Sequence, residues 1–419
     1  MTYPSPLRVL FDQADTRWEV YGPPPPPPAQ GSDPPAPRQS PIGVAGQFDH
    51  IDIEYAALRK AAALLDQPHR GTLVFTGADR QAFLNRMVTQ ELKNAAPFVS
   101  HRAFWLNRKG RIDADLRLIF LPDRIIADVD AFAAPHARAS LEAFVIADDV
   151  AVEDATQRLH RLALHGPGGP AVLASFAKPV EGAAIADIRP GEVSVIEIDG
   201  RRIVVDRWDS AGEIGLELTL DAPDVTPVFR RLLEAAHQNP PGHTGPNPRP
   251  LLRPIGWHAY NIARIEAGTP FYMLDFGRDA LPAETGVLHD RVSFKKGCYL
   301  GQEIVARMHA LGQPKQTLVG LRFQPPAGDG PPLLPPAGAP VFADPPHADG
   351  KPPDPIGTVA SATASPMLGG TPIAFAMVKF KHATAGAILH VPCLEHPEAQ
   401  PVLRPATVQA SLTFWSRTG

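Results

Sequence analysis

Hydrophobic positions along the first three quarters of the chain switch between a period near two and a period near 3.6. Gly71–Gly77, carrying Leu73, Val74 and Phe75, predicts a short strand bounded by glycines. Ala78–Leu92 then sets Phe83, Leu84, Met87 and Val88 on one helical face, and Tyr55–Leu65 has helix-compatible spacing. Ala103–Asn107 and Leu116–Phe120 predict strands on either side of a turn at Gly110, with Arg124–Val129 as the next strand and Pro135–Val145 as a helix. Val193–Val205 contains Asp199-Gly200, a pair suited to the positive φ of a tight hairpin turn. Leu216–Leu220 predicts a strand and Asp224–Gln238 an amphipathic helix. Tyr260–Ala267 predicts a helix that stops at Gly268. The folded part is expected to begin near Ile51.

After residue 315 the texture changes. Thr317–Phe323, Gly357–Ala362, Ala374–Val378, Ala387–Val391 and Val408–Leu412 are short apolar runs separated by Gly/Pro turns, as in an all-β module. The body therefore reads as α+β and the C-terminal part as a small β-barrel.

Composition narrows this picture. The 419 residues are 44% hydrophobic, enough for two or three cores. Basic and acidic residues number 40 and 44, a net charge of −4, so neither nucleic acid nor an anionic membrane is an expected partner. The two cysteines, Cys298 and Cys393, are too few for a disulfide framework or a four-thiolate metal site. No 18-residue apolar run is present, and charged residues interrupt the first twenty positions, so a cytoplasmic protein is expected. Proline, at 49 residues, is clustered. Residues 23–41 include the run Pro23–Pro28 and read as a polyproline-II spacer or a ligand for a proline-binding domain. Residues 240–254 and 325–355 read as proline-rich surface loops. The expected organisation is an N-terminal extension with a polyproline linker (1–50), an α+β region (51–314) and the β-barrel (315–419).

Four clusters carry candidate chemistry. In Lys296-Gly297-Cys298-Tyr299-Leu300-Gly301-Gln302-Glu303 a cysteine follows Lys295 and Lys296 and precedes a helical pattern, Gln302–His309. Helix dipole and cations would both favour a thiolate there; a buried cysteine in a glycine-rich turn is the plain alternative. Gly110-Arg-Ile-Asp113-Ala-Asp115 places Asp113 and Asp115 on one face of a strand, available to hydrogen-bond a heterocycle or move a proton, or else on a solvated hairpin edge. Glu213 sits in a Gly-x-x-Gly turn. Glu217 interrupts the apolar run Leu216-Glu217-Leu218: if that strand is buried the carboxylate needs a partner, and otherwise it is an outward-facing strand residue. Arg264 and Glu266 lie at a helix end, where an ordinary ion pair would also fit.

The order and spacing of these clusters resemble the folate-binding proteins that include the glycine-cleavage T-protein and the YgfZ proteins. The Lys296–Glu303 string is similar to the YgfZ hallmark, as are Leu281-Pro-Ala-Glu284, Val292-Ser-Phe-Lys-Lys296 and Ala306-Arg307 followed by Gly312. Gly212-Glu213-x-Gly215-x-Glu217 and Arg264-Ile-Glu266-Ala-Gly268 resemble segments shared by both branches, and Gly357–Ser361 with Ile373–Val378 resemble their C-terminal barrel. The resemblance implies a three-domain ring of two interleaved α+β domains and a β-barrel, with tetrahydrofolate or a one-carbon derivative in a central hole. It implies that Asp115 stands at the functional aspartate, that Glu217, with Glu213, contacts the pterin, and that Arg264 binds the folate or braces the pocket. Two departures stand out. T-proteins carry Gly-Gly-x-x-Asp-Asp where this chain has Gly110-Arg111-Ile-Asp113-Ala-Asp115, and Ser210-Ala211 replaces an aromatic-Thr pair.

The expectation is a tetrahydrofolate-binding YgfZ-type protein that supports assembly or repair of iron–sulfur clusters, with Cys298 as its reactive thiolate and iron–sulfur client or assembly proteins as partners. Two cysteines cannot hold a cluster alone, so a cluster would be shared with a partner or a second copy. The alternatives are a folate-dependent aminomethyltransferase or related demethylase, with Asp115 positioning folate, and a scaffold whose proline stretches dock partners.

Overall fold

The structure, a computed structural model, describes residues 4–14, 16–22, 41–235, 251–325, 330–345, 353–396 and 398–418. It opens with α1 (Arg8–Asp12), β1 (Arg17–Tyr21), β2 (Ile42–Gln47), α2 (Ile51–Lys60) and β3 (Ala62–Asp66). Then come β4 (Arg70–Thr76), α3 (Arg80–Met87), β5 (Ser100–Leu106), β6 (Ile112–Phe120), β7 (Ile125–Asp130), α4 (Ala134–Glu142) and β8 (Ala151–Asp154). The chain continues through β9 (Leu159–His165), α5 (Gly169–Ala174), β10 (Lys178–Gly182), β11 (Val193–Ile198), β12 (Arg201–Arg207), β13 (Gly215–Asp221) and α6 (Val225–Ala235). It then forms β14 (Leu252–Ile255), α7 (Trp257–Glu266), α8 (Leu288–Arg291) and α9 (Gln302–Leu311). The last strands are β15 (Gln316–Phe323), β16 (Pro340–Val341), β17 (Gly357–Ser365), β18 (Thr371–Lys379), β19 (Ile388–Cys393) and β20 (Val402–Val408).

These form two interleaved α+β domains and a C-terminal β-barrel: the hydrophobic pattern predicted an α+β body followed by a barrel, and the resemblance implied the interleaving. A seven-stranded sheet has the order β10-β11-β12-β13-β9-β3-β14, and a five-stranded sheet the order β5-β6-β7-β4-β8. The chain lays down β3 in the first sheet, leaves to build all of the second, and returns with β9 antiparallel to β3. The barrel sheet runs β16-β17-β18-β15-β20-β19, and a bridge between Phe342 and His390 draws its two ends together. Alternation decides which face each strand buries. In β6, Ala114, Leu116, Leu118 and Phe120 enter the core beneath α3 and α4, which leaves Asp113, Asp115, Arg117 and Ile119 on the opposite face.

Local signals fixed several boundaries. Asp199 (φ 49°) and Gly200 (φ 79°) make the β11–β12 turn, and Gly268 (φ 76°) ends α7. Val225, Val228, Phe229 and Leu232 form the buried stripe of α6.

Other boundaries differ. The helix expected over Tyr55–Leu65 stops at Lys60, and Ala62–Asp66 is a strand buried at all five positions. A strand covered on both faces shows no alternation and is read as helix from its apolar run. The helix of Ala78–Leu92 ends at Met87, and the last barrel strand is Val402–Val408 rather than Val408–Leu412. Folded structure also begins before Ile51. Phe11 of α1 packs edge-on against Phe229 of α6 at 5.4 Å, and β1 pairs with β2. The run Pro23–Pro28 lies outside the described residues, as do 240–250, 326–329 and 346–352 of the two proline-rich loops.

Candidate functional site

The two large sheets face each other, and charged residues at alternate positions of otherwise apolar strands meet between them. Arg117 of β6 donates through Nη1 to Asp206 Oδ2 of β12 at 2.6 Å and through Nε and Nη2 to Asp128 Oδ2 of β7 at 3.2 and 3.0 Å. Arg70 of β4 donates to both oxygens of Asp128, each at 2.9 Å. Arg161 Nε of β9 lies 3.2 Å from Asp128 Oδ1, and Glu217 Oε2 of β13 lies 3.8 Å from Arg117 Nη2. Three guanidinium groups and three carboxylates are thus buried together, a balance that limits the desolvation cost of each.

The balance is uneven within the cluster. Burial pushes Asp128 up, but Arg161, Arg70 and Arg117 together hold its carboxyl well below the usual range. Glu217 is only 1% exposed. Burial, reinforced by Asp206 and Asp128, outweighs Arg117 and raises its pKa to about 7. Neither Glu217 oxygen has a hydrogen-bond partner, nor does Asp206 Oδ1, nor any nitrogen of Arg161. Buried polar atoms are normally satisfied, so these point to bound water or to a ligand's polar edge.

Beside the cluster lies a small cavity lined by Arg70, Arg102, Asp115, Arg117, Asp128, Trp208, Phe271 and Tyr272. Its volume, about 10 Å³, holds roughly one water molecule. Trp208 carries Arg102 at 4.5 Å and Arg117 at 4.7 Å from its ring centroid. Burial, then the nearby Arg291, lowers the pKa of Arg102 to about 9, and its Nε is unpartnered.

The sequence candidates do not share one place. Asp115 edges the cavity and is held by Arg291, whose Nε donates to Oδ1 at 3.1 Å. Glu217 lies in the cluster and is linked to that cavity through Arg117. Asp113, on the same strand face, instead accepts from Asn107 at 3.1 Å and faces His136 at 3.4 Å. Glu213 is not beside them: it is buried against Arg417 (3.0 Å) of the C-terminal tail and near Arg59 (3.9 Å). Arg264 is a brace. It pairs with Asp275 and donates to Ser361 Oγ of β17 at 2.8 Å, tying α7 to the barrel.

Cys298 is exposed, but one of the two lysines expected to favour its thiolate, Lys296, is committed elsewhere. Lys296 Nζ donates to the carbonyls of Asn85, Val88 and Gln90 at 2.6, 2.6 and 3.0 Å, satisfying the C-terminal end of α3. Burial lowers its pKa to about 8. The expected helix follows as α9, preceded by Gly301 in a left-handed conformation (φ 79°). A Cβ on Gly301 would stand 2.8 Å from the Asn107 carbonyl, and one on Gly110 would stand 2.7 Å from Ile304 Cβ. The Cys298 segment is therefore seated on the turn that leads into Asp113 and Asp115.

The reading from sequence missed Arg70, Arg102, Arg117, Asp128, Arg161, Asp206, Trp208 and Arg291. The available signal was the one that marked Glu217: a charge inside an apolar strand, as in Leu116-Arg117-Leu118 and Ala127-Asp128-Val129. Among the described residues, no group of three His, Cys, Asp or Glu side chains converges as a metal site, and no helix is long and apolar enough to cross a membrane.

The family profile described as the GCVT N-terminal domain matches residues 36–296, and that of the glycine cleavage T-protein C-terminal barrel domain matches residues 316–407. An aminomethyltransferase of Herpetosiphon aurantiacus is 29% identical over 359 residues, 85% of this chain and 90% of that protein. An aminomethyltransferase of Halalkalibacterium halodurans is 27% identical over 349 residues, 82% and 87% respectively. The crystal structure of glycine cleavage system aminomethyltransferase T from Bartonella henselae superposes with a TM-score of 0.76, covering 100% of this chain and 99% of that one at 20% identity. At that identity the match speaks to the fold.

Proposed function

The chain belongs to the glycine-cleavage T-protein family, and from that premise we propose that it binds tetrahydrofolate or a one-carbon derivative in the cleft between its two large sheets. The observation that carries this reading is the buried Glu217, neither oxygen of which is hydrogen-bonded, beside Arg161, whose nitrogens also make no hydrogen bond. The pterin edge presents N–H donors and a carbonyl acceptor, which a carboxylate and a guanidinium complement. Trp208, Phe271 and Tyr272 supply aromatic faces for the ring, and Asp115 supplies a carboxylate at the cavity edge. The chemistry of the donor set fits; the volume of about 10 Å³ does not admit a bicyclic ring. Binding therefore requires side chains lining the cavity to move apart.

Bound folate supplies a carrier for a one-carbon unit. The activity its relatives' names support is folate-dependent aminomethyl transfer, ahead of the iron–sulfur role expected first. In that reading Asp115 orients the folate and holds or moves a proton at its carboxylate. A second reading, the YgfZ type, is supported by one observation: Cys298 is exposed on a segment docked against the Asp113–Asp115 hairpin. There the folate site would accompany a thiol used in assembly or repair of iron–sulfur clusters in partner enzymes.

Tetrahydrofolate should raise the melting temperature, and Asp115→Ala or Glu217→Ala should abolish the rise; no shift with any reduced folate would sink the proposal. Release of methylenetetrahydrofolate from an aminomethyl-lipoyl carrier would establish transfer. Loss of iron–sulfur enzyme maturation in cells carrying Cys298→Ala, with folate binding intact, would establish the second reading.

A further inference from the structure

We propose that Arg291 is a positioning residue that joins the Asp115 end of the cleft to the Cys298 segment, so that the state of the Asp115 carboxylate sets the reactivity of the Cys298 thiol. Arg291 is 1% exposed and Asp115 12%. Its Nε and Nη2 address the two carboxylate oxygens at 3.1 and 3.4 Å, and Nη1 pairs with Asp290. Thr89 fixes the backbone at this point. Its hydroxyl donates to the Arg291 carbonyl at 2.6 Å and accepts from the Phe104 amide at 2.8 Å, and its own carbonyl accepts from Ser293 N at 3.0 Å. Phe104 is the β5 residue paired with Asp115 of β6. Arg291 is thus clamped to the strand pair that carries its partner.

Downstream the chain is anchored twice more, by Lys296 on the end of α3 and by Gly301 on the Asn107–Gly110 turn. Only Gly297, Cys298, Tyr299 and Leu300 lie between those anchors. A Cβ on Gly297 would meet nothing within 4 Å and Cys298 is exposed, whereas the next residue, Tyr299, is buried in the core. A change at Asp115 that frees the Arg291 side chain loosens the anchor upstream of Lys296. Coupling of this kind is reciprocal: whatever occupies Asp115 alters the thiol, and whatever binds the thiol alters Asp115.

Cys393 is buried, 0% exposed, so fast alkylation of the native protein reports Cys298. The experiment is the pseudo-first-order rate of N-ethylmaleimide addition at Cys298 in wild type, D115N, R291Q and the double variant, without ligand. Each single variant should react about fivefold faster or more, and the double variant no faster than the singles. An unchanged rate in D115N, or single effects that multiply in the double variant, would overturn the proposal. Should R291Q open the whole fold and expose Cys393, D115N decides alone, because it preserves shape. A second arm adds tetrahydrofolate and rests on the folate reading. Bound folate, scored by thermal shift, should change the wild-type rate by a similar factor and leave R291Q unresponsive. Binding without a rate change refutes the coupling. Absence of binding refutes the folate reading and leaves the D115N result to judge the coupling.

Discussion

Replacing Glu217 by Gln tests the electrostatics of the cleft directly. Burial raises the Glu217 pKa from 4.5 to about 7. Between those values the folded protein holds a proton that the unfolded chain has lost, so the contribution to stability is complete below pH 4.5. It falls as pH rises towards 7 and stays low above it. At roughly 1.4 kcal/mol for each pH unit separating the two values, the ionised carboxylate costs about 3 kcal/mol at pH 8. Glutamine keeps the shape and cannot ionise. Glu217→Gln should therefore match wild type near pH 4.5 and be more stable by about 3 kcal/mol at pH 8. Two other buried groups titrate in an overlapping range. Burial pushes Asp130 up to about 6 and His165 down to about 4. Both are present in the two proteins and cancel in the difference. The assay is urea unfolding of both proteins at half-unit steps from pH 4.5 to 8. A pH-independent difference, or a wild type more stable than the variant at pH 8, would show that Arg117 and Arg161 hold Glu217 ionised, and would refute a burial penalty at this carboxylate.

Three further outcomes follow from the packing. Gly301→Ala forces a left-handed conformation on alanine and drives a Cβ to 2.8 Å from a carbonyl oxygen; a loss of about 2–3 kcal/mol, with increased proteolysis around residues 296–311, is expected from thermal melts and limited digestion. Phe11→Ala removes an aromatic buried against Phe48 and Phe229 and should cost about 3–4 kcal/mol; a silent substitution would show that the N-terminal helix is a loose extension after all. Arg264→Gln leaves Asp275 buried without its guanidinium and should cost about 3–5 kcal/mol, while tetrahydrofolate binding by isothermal titration keeps its affinity, because Arg264 braces the barrel rather than touching the cavity.

The fold was legible wherever one face of an element is buried and the other is not. The α6 stripe and the Asp199-Gly200 turn needed only local information, and the β6 alternation named the face on which Asp115 stands. Legibility failed where burial is two-sided, as in Ala62–Asp66, and at Phe11 and Tyr21, whose partners Phe229 and Asp130 lie more than a hundred residues away. The site followed the same rule. Glu217 was visible as a carboxylate in an apolar strand, but its neighbour Arg117 is a hundred residues upstream, and nothing local says which charged strand positions face each other. Lys296 shows the converse error. Its proximity in sequence to Cys298 suggested an activating cation, whereas its ammonium is spent on three carbonyls more than 200 residues away.

The charge cluster is better explained by function than by stability. A buried ionic group of this size does not stabilise a fold relative to well-packed apolar residues of similar volume, and the orphaned atoms of Glu217, Arg161 and Asp206 add a penalty with no return in the closed cleft. Arg70, Arg117 and Asp128 satisfy one another, so the rigid half of the cluster needs no ligand. The unsatisfied half lies on β9, β12 and β13, across from the Asp115 face. A molecule with donors and acceptors along one edge, entering between the sheets, would satisfy atoms that the protein leaves bare. The penalty carried by the free protein would then reappear as affinity, and replacing Glu217 by Gln should raise stability at pH 8 while it lowers folate affinity.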